Sequence, residues 1–352
     1  MADIRKRKLG RTNIMVPEIA VGGIPIMRVE DKEEAAELVR YALDQGITYL
    51  DTARAYGDSE EKFGMGIEGR RDQVFLATKT HAYDYDTAWQ YLETSLKELK
   101  TDYVDLWQMH DISTQERWDK IWAPDGAMKA AHEARDQGLV KFIGLTGHND
   151  DLLVRAIETD EFDVILCVYN LGIHSAGERV IPLAQERNVG VAVMKPLSGG
   201  LFFRREEAYI DPMKAWHFVL MNPGITVALA GFQNRRDIDQ AVQASLNFQP
   251  LSEEEIAELV EKARFFGDDV CRDCGYCKEV CPAGIDIPTI MKMFDEARVF
   301  SYEWPRFRRI YAELEPKADA CTDCGQCEEK CPFDLKIRER LQWVHQRFNQ
   351  PV

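Results

Sequence analysis

The sequence is poor in basic residues and has no long apolar run. Across 352 residues, 44 Lys and Arg stand against 60 Asp and Glu, which gives a formal net charge of −16. Because binding to phosphates needs a basic surface, this charge argues against a nucleic-acid partner. No apolar stretch approaches the roughly 20 residues that cross a bilayer, so we expect no membrane partner. No apolar run follows the basic start of the sequence, so we expect no secretory signal.

Cysteine is almost absent outside two short segments. Eight of the nine cysteines fall within CRDCGYCKEVCP, residues 271–282, and CTDCGQCEEKCP, residues 321–332. Disulfide frameworks are typical of short secreted chains, and this chain is long. We therefore expect reduced thiols and a cytoplasmic location. The ninth cysteine, Cys167, is predicted to be a small core residue within a strand rather than a reactive thiol.

Short apolar segments alternate with amphipathic, helix-like segments along the first 250 residues. Short apolar strands joined by helices predict a parallel sheet that is covered on both faces. Eight such strands are the number that a closed (β/α)8 TIM barrel requires. An open doubly wound sheet is the alternative, but the first strand–helix turn lacks the G-x-G-x-x-G phosphate-binding pattern. The predicted strands are EIAVGG, ITYLD, VFLATK, YVDLWQM, KFIGLT, DVILCV, VGVAVM and TVALAG.

A break in the pattern near Gln249–Pro250 predicts a domain boundary. We expect the barrel to occupy residues 1–250 and a small, mainly helical domain to occupy residues 251–352. The second segment opens with LSEEEIAELVEKARFF, in which Ser252 and Glu255 have the spacing of a helix capping box.

Both cysteine-rich segments have the spacing C-x2-C-x2-C-x3-C-P, which resembles that of bacterial-type ferredoxins. In two-cluster ferredoxins the fourth cysteine of each run ligates the other cluster. The resemblance therefore implies a ferredoxin-like domain with two 4Fe–4S clusters. The implied ligands are Cys271, Cys274, Cys277 and Cys331 for the first cluster, and Cys321, Cys324, Cys327 and Cys281 for the second.

Two alternatives stay open for these cysteines. CxxC pairs also build structural zinc sites, although the third cysteine, the x3 gap and the repeated C-P favour iron–sulfur. Iron–sulfur clusters, in turn, either transfer electrons or only stabilise the domain around them. If they transfer electrons, an external electron carrier is the expected partner.

Motifs in the predicted barrel resemble the aldo-keto reductase family. They are KLGRTNIMVPEIAVGG, YLDTARAYGDSEEKFG, FLATKT and YVDLWQMH, in that order, and the likeness covers about residues 5–246. It implies a small-molecule carbonyl or alcohol substrate and NADP or NAD as cofactor. It also implies a catalytic tetrad of Asp51, Tyr56, Lys79 and His110.

The tetrad suits carbonyl reduction, which adds hydride to carbon and a proton to oxygen. Tyr56 can supply the proton, and we expect the nearby Lys79 ammonium to lower its pKa from about 10. Asp51 is expected to pair with Lys79, and His110 to orient the carbonyl. Each residue follows a barrel strand at its carboxyl end, where barrel enzymes hold their active sites.

The sequence departs from the family at the expected nicotinamide contacts. The aromatic residue before the family's S-P-L is Met194 here, and Lys195 replaces the serine. After the fifth barrel strand, Thr146 keeps a hydroxyl whereas Gly147 replaces an asparagine. The expected glutamine of the sixth strand is absent.

The phosphate-binding features are better kept, with a tight turn in PLSGG and a glycine after the last strand. Arg235 and Arg236 are candidates for a 2′-phosphate. The predicted cofactor contacts are Thr146, Pro196, Leu197, Ser198, Gly200 and Gly231.

The main hypothesis is a reductase barrel coupled to electron transfer through two clusters. In one alternative, the barrel no longer binds nicotinamide and the chain is an electron-transfer or interaction protein. In another, the barrel is an ordinary reductase and the clusters are structural.

Overall fold

The chain divides into two compact units, residues 1–263 and 264–352. The predicted boundary lies at residue 250, whereas in the structure the first part of the following helix belongs to the first unit. None of the described helices is long and apolar enough to span a membrane. The structure is a computed structural model that describes residues 3–203, 209–267, 270–271, 275–299, 304–331 and 333–349.

The described strands all lie in the first unit. They are Lys6–Lys8 (β1), Met15–Pro17 (β2), Ile19–Gly22 (β3), Tyr49–Asp51 (β4), Phe75–Thr80 (β5), Val104–Met109 (β6), Val140–Thr146 (β7), Val164–Val168 (β8), Gly190–Met194 (β9) and Val227–Ala230 (β10).

The described helices of the first unit cover the sheet, and those of the second form a small bundle. They are Gly23–Met27 (α1), Lys32–Asp44 (α2), Ser59–Gly66 (α3), Tyr85–Glu98 (α4), Gln115–Ile121 (α5), Ala127–Asp136 (α6), Asp150–Glu158 (α7), Val180–Glu186 (α8), Pro212–Leu220 (α9), Arg235–Leu246 (α10), Glu253–Gly267 (α11), Tyr276–Glu279 (α12), Ile287–Val299 (α13), Trp304–Glu313 (α14), Gln326–Glu329 (α15) and Ile337–Phe348 (α16).

Eight parallel strands close into a barrel in the order β10-β3-β4-β5-β6-β7-β8-β9. Closure is visible in β10, where Ala228 pairs with Ile19 of β3 on one side and Val193 of β9 on the other. Apolar side chains from the barrel strands fill the interior, including Tyr49 and Leu106. The prediction of a (β/α)8 barrel is confirmed.

A hairpin precedes the first barrel strand, as β1 pairs antiparallel with β2. Its Leu9 and Val16 are buried in the barrel core. Gly10 has φ +49 and lies against the start of β9, since a Cβ there would come 2.2 Å from the Gly190 nitrogen. The hairpin therefore closes the amino end of the barrel, which leaves the carboxyl end for a site.

The flanking helices follow the predicted signals. In α2, the side chain of Asp31 accepts hydrogen bonds from the amides of Glu33 and Glu34 and so caps the first turn. At α11, the Ser252 amide donates to Glu255 Oε2 at 3.0 Å and the Glu255 amide to Ser252 Oγ at 3.1 Å. This reciprocal pair is the predicted capping box.

The second unit repeats one pattern at an interval of fifty residues. Gly275 and Gly325 have φ of 84° and 76°, and the one-turn helices α12 and α15 begin directly after them. The longer helices α13 and α16 begin at Ile287 and Ile337 and pack on each other. The unit is thus two copies of a cysteine loop followed by a helix.

Candidate active site and cluster sites

The four predicted tetrad residues lie together at the carboxyl end of the barrel. Asp51 ends β4, Lys79 lies near the end of β5 and His110 follows β6. The buried Lys79 ammonium donates to Asp51 Oδ1 and, at 2.8 Å, to the carbonyl oxygen of Thr52. The Tyr56 hydroxyl is 3.4 Å from His110 Nε2, and Lys79 Nζ is 5.2 Å from the centre of the Tyr56 ring.

Burial governs the electrostatics of the Asp51–Lys79 pair. It lowers the pKa of Lys79 and raises the pKa of Asp51, while their mutual attraction opposes both shifts. The pair is held in one geometry because both side chains are almost fully enclosed.

The expectation that Lys79 lowers the pKa of Tyr56 is wrong for this structure. Burial of the phenol, together with the negative charges of Asp51 and Asp111, raises the pKa of Tyr56 well above its ordinary value. Both effects disfavour the phenolate. Tyr56 therefore holds its proton at neutral pH and can only lose it to a strongly basic acceptor.

His110 is uncharged at neutral pH. Burial and the Lys79 charge lower its pKa to about 3. A neutral imidazole has one N–H donor and one acceptor nitrogen, so His110 can exchange a hydrogen bond with the Tyr56 hydroxyl or with a substrate oxygen.

Gln108 is a further residue of the site that the sequence motifs do not indicate. Its Nε2 donates to Asp51 Oδ2 at 2.9 Å, and the side chain is fully buried. Gln108 thus fixes the second oxygen of the carboxylate whose first oxygen bonds Lys79. The available signal was strand alternation, because Gln108 lies two residues before His110 and so points to the same face.

A second polar group surrounds Asp111, the residue after His110. The Asp111 carboxylate accepts from Ser113 Oγ at 2.6 Å, lies 3.2 Å from His148 Nδ1 and bonds Arg117. Burial acts to raise its pKa, but the hydrogen bonds with His148 and Ser113 hold it well below the ordinary value. Asp111 is therefore a carboxylate at neutral pH.

Thr146, a predicted cofactor contact, anchors the loop that follows His110. Its Oγ1 accepts from the Asp111 amide at 2.8 Å, and its carbonyl oxygen accepts from the Ile112 amide at 2.7 Å. The next residue, Gly147, has no room for a side chain, since a Cβ there would lie 2.9 Å from the Ile112 carbonyl oxygen. The Ile112 backbone thus fills the space that the side chain of the family's asparagine would need.

The predicted phosphate turn at Pro196–Gly200 has an unusual backbone. Ser198, Gly199 and Gly200 all have positive φ, at 50°, 64° and 84°. Within the turn, the Ser198 amide donates to the Lys195 carbonyl oxygen and the Gly200 amide to that of Leu197, both at 2.9 Å. Successive left-handed residues can form an anion-binding concavity, although these two amides are already hydrogen-bonded.

Two other positions are explained by packing. A Cβ on Gly231 would come 2.3 Å from Pro25 Cγ, so this glycine allows α1 to approach β10. Cys167 is fully buried, and burial raises its pKa to about 12, which makes it the inert core residue that the sequence predicts.

In the second unit, the described cysteines border two cavities. The first is lined by Cys271, Cys277 and Cys331 together with apolar side chains. Cys274, the remaining predicted ligand of the first cluster, lies outside the described residues. The second cavity is lined by Cys281, Cys321, Cys324 and Cys327.

The structure thus groups the cysteines as the crossed ferredoxin pattern implies, three with one cavity and four with the other. Thiolates are the donors of iron–sulfur clusters. Among the described residues, no three His, Cys, Asp or Glu side chains meet closely enough for one metal ion. The thiol donors and the cavities fit a multi-atom cluster.

A closed barrel with a buried Lys–Asp pair, a tyrosine and a histidine at its open end defines an oxidoreductase-type barrel enzyme, here joined to a cysteine-lined helical unit. The aldo/keto reductase family model matches residues 18–217, and a 4Fe-4S dicluster domain model matches residues 270–336. The chain therefore belongs to the aldo-keto reductase family and carries a 4Fe-4S dicluster domain.

Known proteins of the family are similar to part of this chain. An uncharacterized oxidoreductase of Bacillus subtilis, YqkF, is 24% identical over 73% of this chain and 95% of its own length. The aldo-keto reductase YhdN of the same organism is 34% identical over 49% of this chain, which spans about half (54%) of YhdN.

The solved structure of aldo-keto reductase AKR11C1 from Bacillus halodurans, in its holo form, has the same fold. It covers 74% of this chain and 96% of its own, with a TM-score of 0.64 at 24% identity.

Proposed function

We propose that the barrel interconverts a small carbonyl compound and its alcohol with NADP or NAD, and that the second unit transfers electrons through two 4Fe–4S clusters. The main observation in support of the barrel's proposed role is the 3.4 Å contact between the Tyr56 hydroxyl and His110 Nε2, beside the buried Lys79–Asp51 pair. These four groups provide an acid, its hydrogen-bond partner and a fixed charge at one end of the barrel.

In reduction, Tyr56 donates the proton to the carbonyl oxygen. The neutral His110 imidazole orients that oxygen, and the Lys79 ammonium, which Asp51 holds in place, lies beside the Tyr56 ring. A bound nicotinamide supplies the hydride. In alcohol oxidation, the Tyr56 phenolate takes the proton back.

The residues fit the phosphate part of a dinucleotide better than its nicotinamide. The Pro196–Gly200 turn supports a phosphate site, with Gly231 as a further proposed phosphate contact, and Thr146 is the proposed contact of the carboxamide. Gly147 has no side-chain amide that could bond the carboxamide of the nicotinamide. This supports a second candidate function, an electron-transfer protein whose barrel does not bind nicotinamide.

Each proposed cluster has thiol ligands from both cysteine runs. Cys271, Cys274, Cys277 and Cys331 would hold one cluster, and Cys321, Cys324, Cys327 and Cys281 the other. The two cavities support this assignment. Free thiols reserved for iron suit a reducing compartment, so the cytoplasm is the proposed location.

The test of the barrel's role is Tyr56→Phe, measured with NADPH and NADH against a panel of aromatic and aliphatic aldehydes. Loss of the acid should lower kcat by about 10²–10⁴-fold, the usual contribution of general acid catalysis. Binding of the nicotinamide, followed by fluorescence quenching, should be unchanged, and so should the iron content.

Tyr41→Phe is the matched control, because it removes a hydroxyl that donates to Asp239 on the outer helices. It should keep full activity. Full activity in Tyr56→Phe would remove Tyr56 from its role, whereas a wild-type protein that binds neither nucleotide would favour the second candidate function.

A further inference from the structure

Arg338 borders the second cysteine cavity, and none of the described residues that line the first cavity is an arginine. The linings of the two cavities correspond at an interval of fifty residues, so Cys321 matches Cys271 and Leu341 matches Met291. At the position of Arg338 the first cavity has Pro288. The described parts of the two copies share one fold, but Pro288 does not carry the positive charge of Arg338.

The guanidinium of Arg338 bonds two carboxylates, and we call these three residues the Arg338 clamp. Nε and Nη2 lie 2.9 and 2.7 Å from Glu328 Oε2, and Nη1 lies 3.0 Å from Asp323 Oδ1. The Arg338 amide also donates to Glu328 Oε1 at 2.9 Å. Such forked arrangements fix geometry as well as charge.

The clamp holds the ligand loop of the second cavity at two places. Asp323 lies between Cys321 and Cys324, and Glu328 directly follows Cys327. Both ends of the loop are thereby tied to the first turn of α16. In the first copy, Lys278 stands in place of Glu328, so that copy has neither the arginine nor this carboxylate.

We propose that Arg338 is a positioning residue for the second cluster, which makes the two clusters unequal in stability and in reduction potential. The inference rests on the proposed cluster assignment. The clamp orders the loop before iron binds, so the second site holds its cluster more firmly than the first. It also places one positive charge between two carboxylates at the cavity.

The charge predicts the direction of the potential shift. Removal of Arg338 leaves Asp323 and Glu328 uncompensated beside the cluster, and added negative charge disfavours an added electron. The potential of the second cluster should therefore fall in Arg338→Gln. Removal of one carboxylate by Glu328→Gln should raise it, although both variants lose an anchor of the loop.

The experiment uses the full chain, reconstituted anaerobically with iron and sulfide. Iron per chain, the rate of iron loss to a chelator and EPR-monitored redox titration are compared between variants. Wild-type protein should hold roughly eight irons, as two four-iron clusters require, and should show two midpoint potentials. In Arg338→Gln, one cluster should lose iron faster, and its reduction equilibrium should shift about tenfold, or about 59 mV, to lower potential.

Two further variants separate charge from geometry. Arg338→Lys keeps the charge without the fork, so it should keep the potential but release iron faster. Lys336→Gln also removes one positive charge, two residues before Arg338, from a side chain that is 75% exposed. This variant should match the wild type in reduction potential and in the rate of iron loss.

The outcomes distinguish this inference from the proposed function. If both clusters fill, and Arg338→Gln has the same reduction potentials and rate of iron loss as Lys336→Gln, the inference alone is overturned. Equal shifts of the same sign in Arg338→Gln and Glu328→Gln would overturn the electrostatic part. A wild-type protein that takes up no iron would overturn the cluster assignment and the inference with it.

Discussion

Single side chains of the active site act through partners that are buried with them. Lys79 and Asp51 form a buried ion pair. Removal of either partner would leave the other as an unpaired buried charge, at a cost of about 3–5 kcal/mol. Gln108 completes the carboxylate's hydrogen bonds. The side chains that position Lys79 therefore extend beyond the four tetrad residues.

Gln108→Leu tests this extension. The change keeps the approximate volume but leaves Asp51 Oδ2 without its donor, so stability should fall by about 1.5–3 kcal/mol, the range for hydrogen bonds to charged groups. A less firmly held Asp51–Lys79 pair should also lower kcat by about tenfold, or about 1.4 kcal/mol. Denaturant unfolding and steady-state kinetics measure the two effects.

Gln90→Leu on the exposed face of α4 is the control, and it should change neither quantity. If Gln108→Leu loses stability but keeps kcat, the glutamine supports the fold and does not position the catalytic pair.

The protonation states of Tyr56 and His110 predict the pH dependence of the reaction. Carbonyl reduction needs protonated Tyr56, and a pKa raised above the ordinary value of about 10 keeps it protonated through neutral pH. His110, with a pKa of about 3, also does not titrate there. Thus kcat for reduction should be flat from about pH 6 to 9, whereas kcat for alcohol oxidation, which needs the phenolate, should rise with pH.

Steady-state kcat in both directions across this range is the measurement. A reduction rate that falls with a midpoint near pH 7 would show that the pKa of Tyr56 is lowered in the working enzyme, as the sequence analysis expected. The identity of these residues could be predicted from motifs. The direction of the Tyr56 shift could not, because it depends on how completely the fold encloses the phenol.

At the level of strands, loops and helices, apolar pattern was a sufficient guide to the barrel. Each of its strands is short, bounded by helix-like sequence and buried, so the segments were visible without tertiary information. Contacts between loops could not be predicted from the apolar pattern. That Thr146 holds the loop after β6, and that Ile112 fills the space beside Gly147, follows from the pairing of β6 with β7.

Gly147→Asn tests whether this loop is adapted to exclude the family's asparagine. The new Cβ would lie 2.9 Å from the Ile112 carbonyl oxygen and 3.4 Å from Leu153 Cδ2, so the backbone must move. We expect a loss of about 1–3 kcal/mol in unfolding free energy, typical of overpacking, and no gain in nicotinamide affinity. Thermal unfolding and nucleotide titration measure both.

Gly147→Ala adds only the Cβ and should show most of the same loss. Tighter NADPH binding by Gly147→Asn at unchanged stability would instead show that the loop yields and that the amide contact had simply been lost.

For the whole molecule, the question is how two-electron and one-electron chemistry meet in one chain. A hydride carries two electrons, whereas each cluster takes one. The two proposed clusters would together accept the two electrons of one hydride, and a single cluster would not. If both clusters are present, this correspondence favours a redox role, whereas the apolar linings of both cavities would suit a structural role.

Anaerobic titration with NADPH and then NADH, followed by the visible absorbance of the clusters, tests the coupling. If the barrel and the clusters exchange electrons, one nucleotide per chain should bleach both clusters, since oxidation of one nicotinamide releases two electrons and a proton. Tyr56→Phe should bleach to the same extent, because its hydroxyl acts on the substrate. If only dithionite bleaches the clusters while aldehydes are still reduced by NADPH, the barrel is an ordinary reductase and its clusters serve another donor or the fold alone.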